Sequence, residues 1–287
     1  MSSPMPVSVN FHLWRPCNMS CNGCFARFQD LDAAVLPGGH MSKQAAIDLA
    51  VLLGRQFDKV TFVGGEPTLC PWLPLLIERA HLAGATTMMV SNGTRLTSAY
   101  LDGLARSLDW VALSIDSAVP ATHVSLGRAV HGEAISPERY LAIADDIRRL
   151  GMRLKINTVV SALNAVEDMR ELILALRPER WKVFQVLPVD GQNDGDVEPL
   201  LINSGTFQRF LDRHGGLNAL GIPVVGEDNE DMTGSYAMVD PAGRFFDNST
   251  GRHTYSRPIL KVGIEAAWSE ITFNAERFAA RGAVYSW

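Results

Sequence analysis

SVNFHLWRPCNMSCNGCF, residues 8–25, joins a strand-like segment to a loop that holds three cysteines. Residues 7–14, VSVNFHLW, alternate as a β-strand does. Cys17, Cys21 and Cys24 follow at C-x3-C-x2-C spacing, and Cys70 is the chain's one other cysteine. Three thiolates can hold a metal or an iron–sulfur cluster. With three protein ligands instead of four, one iron of a 4Fe–4S cluster stays open to a further ligand. The alternative is a structural zinc site, which normally uses paired C-x2-C units or adds histidines. No second pair is present, and His12 and His40 lack zinc-ligand spacing. Cys70 reads as a plain buried or loop cysteine.

Working outward, strand and helix patterns alternate about six times. KVTFV (59–63), TTMMVSNG, WVALSIDS, MRLKINTVV and WKVFQVLPV read as strands, almost continuously apolar, as strands buried on both faces are. Between them Ser42 caps a helix with Ile47, Ala50, Val51 and Gly54 on one face. PWLPLLIERAHLAG (71–84), TSAYLDGLARSL, PERYLAIADDIRRLG and NAVEDMRELILALRP also read as helices. The alternation predicts a parallel α/β sheet, with the cysteine loop at a carboxyl strand end, where such folds carry their sites. Beyond about residue 190 the pattern breaks into a helix at 204–216, a hairpin turning at Pro241-Ala242-Gly243, and short terminal helices. Residues 1–190 are therefore expected to form the core, and 191–287 an extension of the same unit that covers the site.

The 287 residues are 47% hydrophobic and 20% charged, with a net charge of −5. This suits a globular chain with a sizeable core and disfavours broad nucleic-acid binding. Four cysteines do not make a disulfide framework. No apolar run would span a bilayer, and MSSPMPVSVN lacks the regions of a secretory signal. A soluble, cytoplasmic, monomeric protein without membrane contact is the expectation.

The cysteine spacing, followed one strand later by GGEP (64–67), resembles the radical S-adenosylmethionine (SAM) superfamily. The resemblance implies a partial (βα)6 TIM-type barrel. It also implies a 4Fe–4S cluster on Cys17, Cys21 and Cys24, whose open iron is chelated by the methionine moiety of SAM. Gly64 and Gly65 would let the backbone approach a ligand closely, and Glu66 can accept from an ammonium group. Ser91, Asn92 and Ser114 fall where the superfamily contacts SAM.

The stretches SVNFHLWRPCNMSCNGCF, VSNGT, SLGR, LKINTVV, NAVEDM, RWKVFQVLPVDGQN, GSYAMVD, RFFDN and RGAVYSW resemble the viperin family nearly end to end. RWKVFQ together with KIN is specific to that family. The resemblance implies a lyase-type enzyme that converts CTP, UTP or GTP to its 3′-deoxy-3′,4′-didehydro analogue, a chain terminator for viral polymerases. An external electron donor would reduce the cluster, SAM would be cleaved, and the resulting radical would take the 4′ hydrogen. Animal members begin with a membrane-binding helix. Here the cysteines start at residue 17, so a soluble antiphage enzyme of the prokaryotic type is expected.

The residues themselves point to a polyanion. Lys155 and Asn157 share one strand face, as do Arg180 and Lys182, while Lys59 opens another strand. Lysine and arginine on core strands need a partner. Four cations from three strands could meet a triphosphate through charge-assisted hydrogen bonds; surface ion pairs at strand ends are the alternative. The resemblance places Lys59, Lys155, Arg180 and Lys182 at the triphosphate, Asn157 at the ribose and Asn10 near the nucleotide. It gives Arg128 to the SAM carboxylate and sets Tyr236 beside the sugar as a candidate hydrogen donor. Lys182 and Tyr236 are candidate acids for loss of the 3′ hydroxyl. Val63 replaces a phosphate-binding serine of the animal enzymes. Asn229, Asp231 and Thr233 are candidate base contacts. Another radical SAM nucleotide- or peptide-modifying enzyme, or a non-catalytic metal-binding module, remain the competing readings.

Overall fold

The computed structural model describes residues 4–31, 36 and 38–287. Seven strands lie side by side in parallel, in chain order: β1 (Ser8–Trp14), β2 (Lys59–Gly64), β3 (Thr86–Ser91), β4 (Trp110–Ser114), β5 (Arg153–Val160), β6 (Arg180–Gln185) and β7 (Val224–Glu227). On the other side of β1, β8 (Met238–Val239) pairs in parallel. Antiparallel β9 (Arg244–Asp247) and β10 (Thr254–Pro258) complete an unclosed ten-stranded sheet. The parallel sheet expected from the alternation, and the partial barrel that the resemblance implied, are present. β7 and β10 are additions that the sequence reading missed: VVGE is short, and Pro258 limits pairing at the edge.

Helices α1 (Lys43–Gln56), α2 (Leu73–Leu82), α3 (Ser98–Asp102), α4 (Pro120–Ser125), α5 (Pro137–Arg149), α6 (Arg170–Leu176) and α7 (Ser204–His214) are followed by the one-turn α8 (Asn229–Met232). Three more short helices, α9 (Ile259–Val262), α10 (Ile264–Trp268) and α11 (Ala275–Ala280), close the chain. Ser42 caps α1 by accepting from the Ala45 amide, as expected. The buried face is Ala46, Leu49, Ala50, Leu53 and Gly54, not the stripe through Ile47 and Val51. Each fully buried leucine there contributes about 1.5–3 kcal/mol, so the larger Leu49–Leu53 pair decides the orientation.

Two expected helices are shorter than their patterns. α3 stops at Gly103. NAVEDM is a turn, because the Asn164 side chain accepts from the Ser161 amide and donates to the Asp116 and Val159 carbonyls. Such side-chain bonds compete with helix formation. Among the described residues no helix is long and apolar enough to cross a membrane.

Register sets the interior. Lys155 lies beside Arg180, Asn157 beside Lys182, and Ser114 beside Asn157. On β1 and β2, Asn10 lies beside Thr61 and His12 beside Val63. The inward residues therefore stack in layers. Lys59, Lys155 and Arg180 sit at the amino ends of their strands, and the loops at the carboxyl ends form the rim.

Candidate functional site

A cavity of about 890 Å³ opens at the carboxyl ends of the strands. Cys17, Cys21 and Cys24 line it together with Gly64, Gly65, Glu66, Ser91, Asn92, Ser114, Arg128, Asn10, Asn157 and Tyr236. The three cysteines are free, whereas Cys70 is buried in the core away from them. Their loop is pinned by the segment after α4: Ser20 N–H donates to the Gly127 carbonyl and Asn22 N–H to that of Leu126. Gly127 has φ +73°, and a Cβ there would lie 2.2 Å from the Ser20 carbonyl oxygen. Only glycine fits.

The GGEP glycines line the cavity, and close packing on backbone also demands them. A Cβ on Gly64 would meet the Trp14 carbonyl at 2.4 Å, and one on Gly65 the Arg15 and Pro16 carbonyls at 2.3 Å. They let this loop pack on the backbone just ahead of Cys17. Glu66 is 1% exposed. Its carboxylate accepts from the Ser91 hydroxyl at 2.8 Å, the Asn92 amide at 2.8 Å, and the Thr68 amide and hydroxyl at 3.1 and 2.5 Å. Burial still pushes its pKa up against those bonds. A buried carboxylate with neutral donors and no cation suits an ammonium group from a ligand. Arg128 donates to Asp116 at 2.6 Å, and Asp116 also accepts from the Val159 amide. Arg128 thus enters the cavity already oriented.

These residues fit a SAM-binding cluster. No three His, Cys, Asp or Glu side chains among the described residues converge on a single-ion site. Instead the three cysteines line one shared cavity, where they could hold a cluster. Burial pushes the Cys21 thiol up to about 11, while the Arg128 charge acts in the opposite direction.

Beneath the cavity the cations converge. Lys59, Lys155, Arg180 and Lys182 are close enough to depress one another's protonation. None of the four lines the cavity itself. Burial, then its cationic neighbours, lowers Lys59 to about 7. Burial lowers Lys182 to about 8, and it lowers Lys155 strongly. Lys155 keeps more accessible surface than Lys59, Arg180 or Lys182.

Two members of this layer were missed in the sequence. Arg281, just after α11, donates to Glu227 at 2.8 Å and to the Ser235 carbonyl at 3.1 Å. Its guanidinium lies 3.6 Å from the centroid of the Tyr236 ring. Glu227, at the end of β7, pairs with both Lys182 and Arg281 and accepts from the Tyr236 hydroxyl. Burial opposes its charge, but the two cations outweigh it and hold the carboxyl below its ordinary range. Burial keeps the Tyr236 hydroxyl protonated, its pKa well above the ordinary value. A signal was available: the carboxylate that follows the apolar run IPVV, and an arginine in the closing RGAVYSW.

The floor is closed by the C-terminal residues. Lys59 lies 4.4 Å from the Tyr285 ring centroid and 4.0 Å from that of Trp287, and Arg180 lies 4.3 Å from Tyr285. Val63 does line the cavity, whereas Asn229, Asp231 and Thr233 do not. Asp231 forms a capping box with Asp228, and the Thr233 hydroxyl donates to the Asn229 carbonyl. The Asp231 and Thr233 side chains are thus spent on their own turn, whereas the buried Asn229 Oδ1 has no partner.

The Radical SAM superfamily model matches residues 13–176. An S-adenosylmethionine-dependent nucleotide dehydratase from Flammeovirga pacifica is 47% identical over 98% of this chain and 96% of its own length. One from Oncorhynchus mykiss, called RSAD2, is 35% identical over 100% of this chain and 82% of its own. The structure of Streptococcus suis SuiB bound to S-adenosylmethionine superposes with a TM-score of 0.71 at 14% identity, over 96% of this chain and 68% of that one. That of anSMEcpe with bound AdoMet gives 0.71 at 14%, over 96% and 79%. Structural similarity at this identity supports the fold, and sequence similarity over the whole length decides the family. The chain belongs to the viperin-type S-adenosylmethionine-dependent nucleotide dehydratases of the radical SAM superfamily, whose members use a 4Fe–4S cluster and SAM.

Proposed function

We propose that this protein dehydrates a ribonucleoside triphosphate to its 3′-deoxy-3′,4′-didehydro analogue. The observation that carries the reading is a layer of buried cations directly below a cavity walled by Cys17, Cys21, Cys24 and Glu66. Cys17, Cys21 and Cys24 would hold the cluster, and Glu66, Ser91, Asn92, Ser114 and Arg128 would hold SAM. Bound there, the pair supplies a carbon radical able to remove a hydrogen atom. Lys59, Lys155, Arg180, Lys182 and Arg281 would grip the triphosphate by charge-assisted bonds. Asn157, whose buried Oδ1 has no partner, would accept from a ribose hydroxyl, with Asn10 on the opposite wall.

Two anchors fix the sugar so that a single carbon faces the cofactor side of the cavity, within the roughly 3–3.5 Å that hydrogen transfer needs. Loss of the 3′ hydroxyl then requires one proton and one electron besides the abstracted hydrogen atom. Tyr236, protonated and held by Glu227, and Lys182 behind it are the groups able to supply that proton. The electron comes from an external one-electron donor. A product without a 3′ hydroxyl terminates polymerase extension, which favours a role in antiviral, here antiphage, defence. Anaerobic turnover with CTP, UTP and GTP carrying deuterium at C4′ tests the reading. One deuterium should appear in 5′-deoxyadenosine, and the nucleotide product should have lost water. Label arriving from C2′, C3′ or C5′ would mean a different reaction on the same scaffold.

A further inference from the structure

The charge of the buried layer has a consequence for the form of ligand it takes. Lys59, Lys155, Arg180, Lys182 and Arg281 supply five positive charges when protonated, and Glu227 is the carboxylate in direct contact with the set. Five minus one leaves a net +4. Asp231 acts on Arg281 only weakly, from a partly exposed position on α8. A fully ionised nucleoside triphosphate carries about four negative charges, all available for charge-assisted bonds. Its magnesium complex carries about two, because the ion is held by the phosphate oxygens and keeps several waters.

The donors point the same way. Arg180 and Arg281 are 8% and 7% exposed, and each has a buried Nε–H with no partner. One arm of each guanidinium is fixed on a carbonyl, Arg180 on Gly282 and Arg281 on Ser235, and the second arm of Arg281 is held by Glu227. Unpaired buried donors call for bare anionic oxygens. Glu227, among the described residues the carboxylate in contact with this layer, is fully occupied by Lys182, Arg281 and Tyr236, so it is not free to ligate a metal that arrives with the phosphates. Glu227 trims the layer to the charge of a bare triphosphate and holds Lys182 and Arg281 in place.

We infer that the site binds its nucleotide as the metal-free polyanion, with the five basic side chains replacing magnesium. The inference rests on the nucleotide reading above. The test is the apparent Kd of CTP, UTP and GTP for the cluster-loaded, unreduced protein, at constant ionic strength and increasing magnesium. When about one-hundredth of the nucleotide remains uncomplexed, the apparent Kd should weaken about a hundredfold, because only that fraction is competent to bind. An exchange-inert chromium(III)–nucleotide complex should fail to compete. Affinity that rises or stays level with magnesium, or competition by the inert complex, would overturn the inference. Inorganic tripolyphosphate keeps the two readings apart, since it should bind and respond to magnesium in the same way. If it bound while no nucleotide did, the nucleotide reading would fail and the metal-free polyanion site would stand. If neither bound, both would fall.

Discussion

Glu227 and Lys182 form a contact ion pair inside the barrel, with Glu227 fully buried and the Lys182 side chain 5% exposed. The same carboxylate holds Arg281 and Tyr236, so one residue ties β6, β7 and the C-terminal segment together. Replacing it by alanine leaves buried like charges without compensation. Breaking a buried pair in this way costs about 3–5 kcal/mol. Glu227→Ala should therefore melt well below the parent protein. The gap should narrow in tripolyphosphate, which restores the missing negative charge. A variant as stable as the parent, or a gap unchanged by the anion, would show that the pair does not balance this layer.

Gly127→Ala offers a test of how the cysteine loop is held. The new Cβ would force the segment off the Ser20 carbonyl in a left-handed backbone position, which costs about 1–3 kcal/mol. Because the two backbone hydrogen bonds, from Ser20 to Gly127 and from Asn22 to Leu126, position the loop between Cys17 and Cys24, iron content after reconstitution should fall more than thermal stability does. Full iron loading in a folded Gly127→Ala protein would remove this role.

Cysteine replacements separate ligand from core. Alanine at Cys17, Cys21 or Cys24 should each abolish the visible absorbance of the cluster and all cleavage of SAM. Cys70→Ala should keep both, at a modest cost in melting temperature from one small buried side chain. SAM cleavage retained in Cys21→Ala would refute a three-cysteine cluster.

The rim of this site was legible in the sequence because its residues sit at fixed short spacings, in loops that directly follow strongly apolar strands. The cation layer was legible for a second reason: lysine on a core strand conflicts with burial, so Lys155 and Lys182 stood out. Glu227 and Arg281 did not, because their charged partners lie more than forty residues away, and charges beside a loop look solvated until the sheet is closed. β7 was too short to show a period. The GGEP glycines were visible, but their neighbours, the carbonyls of Trp14, Arg15 and Pro16, belong to the preceding strand–loop junction and are set by tertiary packing. NAVEDM misled because its composition suits a helix, whereas Asn164 spends its side chain on the turn.

Protonation gives the last test. In the empty protein burial and mutual repulsion lower Lys59 to about 7 and Lys182 to about 8, and they lower Lys155 strongly. A bound polyanion reverses the repulsion and raises all three. For groups whose pKa rises on binding, affinity is greatest below the empty-site value and is lost as pH climbs through it toward the bound value. Binding of tripolyphosphate or nucleotide should therefore weaken steadily between about pH 7 and pH 9. For a nucleotide this window lies above the last ionisation of its terminal phosphate, about pH 6, so the nucleotide's own charge changes little within it; tripolyphosphate, with two terminal phosphates, still sheds a proton there, so the nucleotide is the ligand that decides. Protons should be taken up as the complex forms near pH 8, and calorimetry in two buffers of different ionisation heat counts them directly. Lys155→Met should reduce the uptake and weaken binding by about ten- to a hundredfold, the worth of one charge-assisted contact. Zero net uptake and a flat pH dependence would mean that these lysines stay charged in the empty barrel and that something other than their mutual repulsion sets the affinity.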